Sequence, residues 1–261
     1  MKLLLKSLVT GVAALVSLAA TNVANAAGVT FLIGSDVIAL HGDASYINPV
    51  FDQMANFGSK KLLFVGDASS VNYTAGNVAL TFISRTTWNA GASLAGFSAV
   101  YFDSPGTCCS DPGSALAAAT KPGLAAFVGA GGSLAVGDFQ GDTFWDSLLG
   151  FTALPGVTNG RATDGFLCED PGLSTPGGLA FGFAPSYSEG CFVHQTYNPA
   201  FWAAKGYFAL QTDGFTGGRN FGDWVTMATG FVDPGGVPEP GTLALAGLAL
   251  AGLAAGRRRR A

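Results

Sequence analysis

Four short apolar segments alternate with polar and glycine-containing segments through the first half of the chain. They are Val29–Ile33, Lys61–Val65, Ser98–Phe102 and Ser133–Val136, and each is bounded by Gly, Asp or Ser. Apolar runs of this length between turn-forming residues are typical of buried β-strands. The pattern therefore predicts four strands.

Helical periodicity occupies the segments between these strands. Between the first two strands, apolar side chains recur at helical spacing at Ile47, Val50, Phe51, Met54 and Phe57. Ala115–Ala119 and Leu124–Val128 predict helices before the fourth strand, separated by a break at Pro122. Strands and helices that alternate in this way predict an α/β fold, with a mostly parallel sheet flanked by helices and joined by right-handed crossovers.

The later segment Phe151–Asp233 forms a second half, which is rich in Gly and Pro. Its short apolar runs predict strands at Leu179–Phe183, Tyr207–Gln211 and Trp224–Thr229. We expect this half to supply edge strands and long loops. Aromatic side chains between Trp202 and Trp224 fit stacking on sugar rings, although aromatics at strand-like spacing are more often core residues.

The N-terminus has the three parts of a secretory signal peptide. Lys2 and Lys6 precede the uncharged run Ser7–Ala20, and Ala24 and Ala26 form an A-x-A cleavage site. We expect signal peptidase and the secretion machinery to act on residues 1–26, so that the mature chain begins at Ala27.

A second apolar run lies at the C-terminus, after a Pro-Glu-Pro tripeptide. The run Gly241–Gly256 would form a helix of roughly 24 Å at 1.5 Å per residue, shorter than the roughly 30 Å hydrocarbon core. Four arginines that act as a stop-transfer signal follow it, namely Arg257, Arg258, Arg259 and Arg260. The pattern predicts apolar helices at both ends of the chain and a short membrane span at the second.

The C-terminal segment resembles the PEP-CTERM sorting signal of Gram-negative bacteria. The resemblance lies in Val237-Pro238-Glu239-Pro240, the short apolar helix and the arginine cluster. It implies recognition by an exosortase, a membrane transpeptidase. It also implies transient residence in the inner membrane, followed by transfer to the cell surface or to an exopolysaccharide biofilm matrix. We accordingly expect a signal peptide at 1–26, an exported domain at 27–235 and a sorting segment at 236–261.

Composition and charge exclude several classes of function. Charged residues make up only 11% of the chain and hydrophobic residues 49%, which excludes a disordered acidic protein. Residues 27–235 contain seven of the 13 basic and 16 of the 17 acidic residues, so the exported domain has a net charge near −9. This charge argues against nucleic acid and is compatible with neutral glycans or a divalent cation.

Four cysteines lie in the exported region, where disulfides are the expected state. Adjacent Cys108 and Cys109 are poorly placed to bridge each other, and four cysteines allow three connectivities. We favour Cys168 with Cys191, because closing that loop contributes about 3 kcal/mol in the chain-entropy model. A zinc site is the alternative, although no C-x-x-C spacing is present.

The stretch Pro122–Asp138 is similar to part of class I glutamine amidotransferase-like domains, especially the trehalose-utilisation-type branch. In both, a helix ends in a Gly-Gly pair, here Gly131 and Gly132, before a buried strand. The resemblance implies a flavodoxin-like or amidotransferase-like sheet with a cysteine nucleophile after that strand. Asp138 occupies that position, and none of the four cysteines fits it, so we expect no thiol chemistry.

Three aspartates, Asp138, Asp142 and Asp146, are spaced four residues apart. A helix covering all three would align their carboxylates on one face, where they could hold calcium or magnesium. Acids in a first helical turn are also common as caps and dipole partners, with Asp142 as the N-cap. Both interpretations stay open, and a divalent cation is the one cofactor that the sequence suggests.

Further polar residues follow the predicted strands. His41 and Asp43 fit a general base and its orienting partner, although Asp43 is also an ordinary helix cap. In a parallel sheet, Asp36, Asp67 and Asp103 would meet Asp138 at one edge, and that convergence is the candidate catalytic site. His194, near Cys191 and without a G-x-S-x-G motif to serve, is expected to be structural.

These observations predict an exported surface or matrix protein with a non-catalytic structural or glycan-associated role. The alternative is an extracellular hydrolase or metal-dependent enzyme that uses the strand-end acids with His41. A periplasmic small-ligand binder is a third interpretation and would require a closed apolar pocket.

Overall fold

The computed structural model describes residues 28–56, 58–66, 68–103, 115–138, 144–149, 167–188, 190–218 and 220–229. Within these ranges, the side chains of Leu40, Asp146 and Ser147 are not described. The described residues belong to one compact unit that ends at Phe231. Residues 1–26 and 236–261, where the sequence predicts a signal peptide, a sorting segment and apolar helices, lie outside the described residues.

Nine strands in the described part of the chain form one sheet. They are β1 (Thr30–Ile33), β2 (Lys61–Val65), β3 (Ala79–Ile83), β4 (Ala99–Phe102), β5 (Ser133–Gly137), β6 (Gly172–Ser174), β7 (Ser186–Tyr187), β8 (Phe208–Asp213) and β9 (Trp224–Thr229). Their order across the sheet is β3-β2-β4-β5-β1-β9-β8-β6-β7.

The sheet is mixed, with a parallel half and an antiparallel half. Strands β3, β2, β4, β5 and β1 pair in parallel, whereas β9, β8, β6 and β7 add to β1 in antiparallel fashion. The expectation of a mostly parallel sheet is therefore wrong, since four of the eight pairings between described strands are antiparallel. The flavodoxin-like order 2-1-3-4-5 is absent too, because β1 lies between β5 and β9.

Helices cover both faces of the sheet. They are α1 (Ala44–Met54), α2 (Arg85–Asn89), α3 (Lys121–Gly129), α4 (Phe144–Leu148), α5 (Pro176–Phe181) and α6 (Pro199–Ala203). A π-helical turn at Val37–His41 precedes α1, and a 3₁₀ turn at Ala118–Thr120 precedes α3. The expected break at Pro122 is wrong, because this proline lies in the first turn of α3, where its missing N–H costs no hydrogen bond.

Strand side chains alternate between two hydrophobic cores, one on each face. Phe31 and Ile33 of β1 pack with α1 in one core, which includes Val50 and Phe51. Leu32 points to the other core. That core is closed by aromatic side chains from three helices, namely Trp88 of α2, Trp145 of α4 and Trp202 of α6. Because both faces are covered, the central strands are largely apolar.

The predicted strand at Leu179–Phe183 is wrong, because Pro176–Phe181 is helical. The Thr175 side chain caps this helix by accepting a hydrogen bond from Gly178 N, and Pro176 fits its first turn. Gly182, with φ of 106°, ends it. Thr175 and Pro176 together form a helix-start signal that outweighs the short apolar run.

Gly34, directly after β1, allows a distant loop to approach the sheet. Its carbonyl oxygen accepts hydrogen bonds from His194 N at 2.9 Å and Gln195 N at 2.8 Å. A Cβ at this position would lie 2.0 Å from the Gln195 carbonyl oxygen. A side chain and this contact are therefore incompatible, and Gly34 permits the approach.

Substituting Gly34→Ala should destabilise the protein by about 1 to 3 kcal/mol, because the added methyl group meets backbone that cannot give way. Gly123→Ala in α3 is the matched control. It has no atom within 4 Å of its added Cβ and should gain about 0.5 to 1 kcal/mol from helix propensity. Urea denaturation of both variants measures the difference, and equal stabilities would contradict this account of Gly34.

Asp223 lies just before β9, and its raised pKa predicts that the stability of the protein depends on pH. Burial, and secondarily the Asp213 carboxylate, raise its pKa from 3.8 to about 6. A raised folded-state pKa of an acid means that its stabilising contribution is present at low pH and is lost as the pH rises through about 6. Asp223→Asn should therefore reduce the fall in Tm between about pH 4 and pH 7. An unchanged fall, measured by thermal unfolding at matched pH values, would rule out this role for Asp223.

Candidate functional site

Three buried aspartates follow three neighbouring strands at the carboxyl edge of the parallel half. Asp36 follows β1, Asp138 follows β5 and Asp103 follows β4, and their exposed fractions are 1%, 0% and 6%. Adjacent strands lie about 4.8 Å apart, so these acids share one edge of the sheet. Asp67, which follows β2, lies outside the described residues.

Asp36 contacts two ionisable side chains at this edge, because each of its carboxylate oxygens contacts a histidine. His41 Nε2 lies 3.2 Å from Oδ1, and His194 Nε2 lies 2.9 Å from Oδ2. The side chains of Asp36 and His194 are fully buried, whereas that of His41 is 26% exposed. A buried carboxylate requires such partners, because desolvation without them is strongly unfavourable.

His194 reaches Asp36 from a loop held by backbone hydrogen bonds. Besides its bond to Gly34, this loop pairs with residues near Cys168, since Leu167 N donates to His194 O at 3.0 Å. His194 Nδ1 lies 2.8 Å from Leu167 O. A carbonyl oxygen only accepts, so Nδ1 carries a proton and donates, which fixes the ring orientation. His194 is thus structural, as expected, and also belongs to the site.

His41 is the last residue of the π-helical turn that follows β1. Gly42 ends the turn in the left-handed region, with φ of 65°, and donates its N–H to Val37 O. Asn72 Nδ2 donates to Gly42 O at 2.7 Å, which ties the turn to the segment after β2. π-Helical turns are rare and are frequent at functional sites.

Asp43 was a candidate partner of His41 and also a candidate helix cap, and the structure shows the cap. The Asp43 side chain caps α1 by accepting a hydrogen bond from Ser45 N at 2.7 Å. The carboxylate that contacts His41 is Asp36. The cap interpretation of Asp43 is therefore confirmed.

Asp103 lies beside a buried cation. Arg85, only 1% exposed, begins α2 and donates from Nη2 to the backbone oxygen of Asp103. The Asp103 side chain packs on Gly66, where an added Cβ would lie 2.7 Å from Asp103 Cβ. Burial raises the pKa of neighbouring Tyr101 well above its usual value, with a smaller contribution in the same direction from Asp103.

Asp138 lies in the site directly after β5. Tyr197 Oη donates to Asp138 Oδ2 at 3.4 Å. Asp138 itself is not helical, and the described part of α4 covers Phe144–Leu148, so the alignment of Asp138, Asp142 and Asp146 on one helical face stays untested. Asp142 and the Asp146 side chain lie outside the described part. Within the part described, no cluster of three His, Cys, Asp or Glu side chains is able to hold a metal ion.

A second polar network lies beside Asp36 on the face that α1 covers. Tyr46 Oη and Thr226 Oγ1 are 2.7 Å apart, and Thr226 Oγ1 donates to Gln211 Oε1 at 2.8 Å. The Thr226 hydroxyl proton is used in that bond, so Tyr46 is the donor of the first one. Burial raises the pKa of Tyr46, which keeps the phenol protonated. This chain joins α1 to the antiparallel half.

The Cys168–Cys191 disulfide is present, with the two Cα atoms 4.2 Å apart. Asp170 accepts hydrogen bonds from Cys191 N and Phe192 N, both at 2.9 Å. These contacts join the segment that orients His194 to the loop that carries it. Cys108 and Cys109 lie outside the described residues.

Sequence reasoning missed the roles of His194 and Arg85 in this site. His194 follows no predicted strand, because the loop that carries it belongs to the antiparallel half. Arg85 follows β3, a strand that the sequence analysis did not predict. The sequence offered one signal for these two residues, the small number of residues of their type. The chain has only two histidines, and residues 27–235 have only seven basic residues.

Fold and site together define an α/β domain with a mixed sheet and a buried acidic edge. Residues 236–260 match the PEP-CTERM protein-sorting motif. The match supports sorting through an exosortase to the cell surface, with export and processing at the C-terminus. No curated protein and no solved structure matches the chain, so the similarity to amidotransferase-like domains has no support here.

The short membrane span expected at Gly241–Gly256 lies outside the described residues. Among the helices that the structure describes, none is long and apolar enough to cross a membrane.

Replacing Cys168 and Cys191 together by Ser should lower the free energy of unfolding by about 3 kcal/mol, because the loop they close spans 23 residues. Urea denaturation of the double variant beside the wild type measures this loss. Peptide mapping without reductant provides the control and should recover Cys168 linked to Cys191. Recovery of either residue linked to Cys108 or Cys109 would contradict the pairing.

Proposed function

We propose that this protein works at the cell surface or in the extracellular matrix in association with a neutral glycan. The observation that carries the proposal is the sorting motif at residues 236–260. The net charge near −9 of the exported residues adds to it, because that charge repels polyanions. Exopolysaccharide is accordingly the expected partner.

Exposed rings on the antiparallel half supply a surface suited to sugars. The connection between β8 and β9 carries Phe215, which is 41% exposed, and Phe221, which is 57% exposed. Exposed apolar patches often mark ligand-binding or interaction sites. Stacking of a pyranose ring on such a face requires no charge on either partner.

In its simplest form this role is non-catalytic, as the sequence analysis expects. Asp36, Asp103 and Asp138 are at most 6% exposed, so a bound polysaccharide has little access to their carboxylates. Their contacts with His41, Arg85 and Tyr197 suit an internal polar network that fixes the edge of the sheet.

The second candidate function is an extracellular hydrolase. One observation favours it: His41 is partly exposed and contacts a buried carboxylate. An oriented imidazole of this kind suits general base catalysis at neutral pH. Metal-dependent chemistry has less support, since the described residues offer no cluster of metal ligands.

We expect the purified, processed protein to co-sediment with the exopolysaccharide of the producing organism. Phe221→Ala should weaken binding about two- to tenfold if its ring stacks on sugar. Leu179→Ala, an exposed aliphatic residue at 49%, is the matched control and should bind like the wild type. Sedimentation isotherms measure both, and an assay of reducing ends in the same tubes reports glycan cleavage.

Two outcomes would contradict the glycan role. One is the absence of co-sedimentation at any protein concentration reached. The other is equally tight binding to a polyanionic polysaccharide at the same ionic strength, which the net charge should prevent.

A further inference from the structure

Both histidines of the chain contact one carboxylate, although 153 residues separate them in the sequence. One histidine is sufficient to neutralise a buried aspartate. The second lies on the opposite oxygen and reaches solvent, with 26% of its side chain exposed. A purely structural ion pair does not require this partly exposed member.

One hydrogen bond and two close contacts arrange the three side chains. Leu167 O fixes a proton on His194 Nδ1, and His194 Nε2 lies 2.9 Å from Asp36 Oδ2. Asp36 Oδ1 then faces His41 Nε2 at 3.2 Å. A proton on His41 Nε2 that points to Asp36 leaves Nδ1 of the same ring as a proton acceptor.

The backbone around His41 is unusual as well. His41 ends a π-helical turn closed by Gly42 in the left-handed region, a geometry that re-aims the side chain at the end of β1. Asn72 holds the Gly42 carbonyl oxygen from a neighbouring segment. The ring position is therefore set from two sides, by the turn and by Asp36.

We propose that His41 is a general base that activates water to hydrolyse ester groups on a neutral ligand, with Asp36 and His194 as positioning residues. This inference rests on the second candidate function and names its substrate class. His41 Nδ1 takes a proton from water while the water oxygen bonds to the acyl carbon. The bond from that carbon to the alkoxide oxygen then breaks, and the proton on His41 passes to the leaving oxygen. The products are a carboxylic acid and an alcohol.

The site suits esters better than glycosidic bonds. Glycoside hydrolysis requires two carboxyl groups that flank the scissile bond, whereas the described acids of this edge are buried. Ester hydrolysis requires one base that reaches the solvent, and His41 meets that requirement. O-acyl groups on a neutral glycan combine this chemistry with the expected partner.

The test uses the purified, processed protein with two probes, 4-nitrophenyl acetate and the producing organism's exopolysaccharide assayed for released acetate. His41→Ala should lower kcat about 100-fold or more, and added imidazole should restore part of it. Asp36→Asn should lower kcat with little change in KM, because it acts on the orientation of His41. Asp43→Asn removes the same charge two residues from His41 and retains the cap of α1, so it should retain full activity.

Near-UV circular dichroism checks that each variant is folded, and His41→Ala alone suffices if Asp36→Asn does not fold. Imidazole rescue supports a base at this position, since a structural role does not respond to imidazole. A wild type no faster than free imidazole at equal concentration would overturn the proposal, as would unchanged activity in His41→Ala. Co-sedimentation with the polysaccharide distinguishes the ester-hydrolysis proposal from the glycan-binding proposal. Retained binding by His41→Ala together with lost hydrolysis supports both proposals. Absence of binding by the wild type overturns the glycan-binding proposal alone.

Discussion

Two backbone hydrogen bonds to the carbonyl oxygen of Gly34 fix the geometry on which the rest of the structure depends. His194 N and Gln195 N donate them, and they bring a loop from the antiparallel half onto the end of β1. Because β1 pairs with β5 on one side and β9 on the other, this contact lies where the two halves of the sheet meet. A side chain at this position would clash with the Gln195 carbonyl oxygen, so the close approach of the loop that carries His194 depends on this glycine.

Most of the parallel half was predictable from short-range pattern. In this half the boundaries of β2 are as predicted, and β1, β4 and β5 differ by one residue at an end. These strands lie between two covered faces, so they are largely apolar runs that local reasoning detects. Strand β3 lies at the edge of the sheet and has partly exposed side chains, so its pattern is weak. Pairing direction was not predictable, because it depends on contacts far apart in sequence, such as β1 with β9.

The same distinction applies to the site. The strand-end aspartates were identifiable because each directly follows an apolar run, and the Cys168–Cys191 pair followed from loop length and compartment. The partner of His41 was misassigned because Asp43 is two residues away and Asp36 is five, and sequence proximity favours the nearer. A π-helical turn brings the farther residue into contact, while the nearer one is used as the cap of α1. Local geometry of this kind has no periodic signature.

This domain has few charged residues, and several of them are buried at one edge of the sheet. Asp36, Asp103, Asp138 and Arg85 are at most 6% exposed, although burial of ionisable groups opposes folding. Asp36 contacts His41, which lies in the turn after β1, and His194, which lies in a distant loop. The Cys168–Cys191 disulfide joins that loop to the segment that begins at Leu167. By ordering the loop that carries His194, the disulfide offsets part of the free-energy cost of burying the Asp36 carboxylate. Because disulfides persist in oxidising compartments, the export that the sorting motif indicates is compatible with the Cys168–Cys191 bond that stabilises this edge of the sheet.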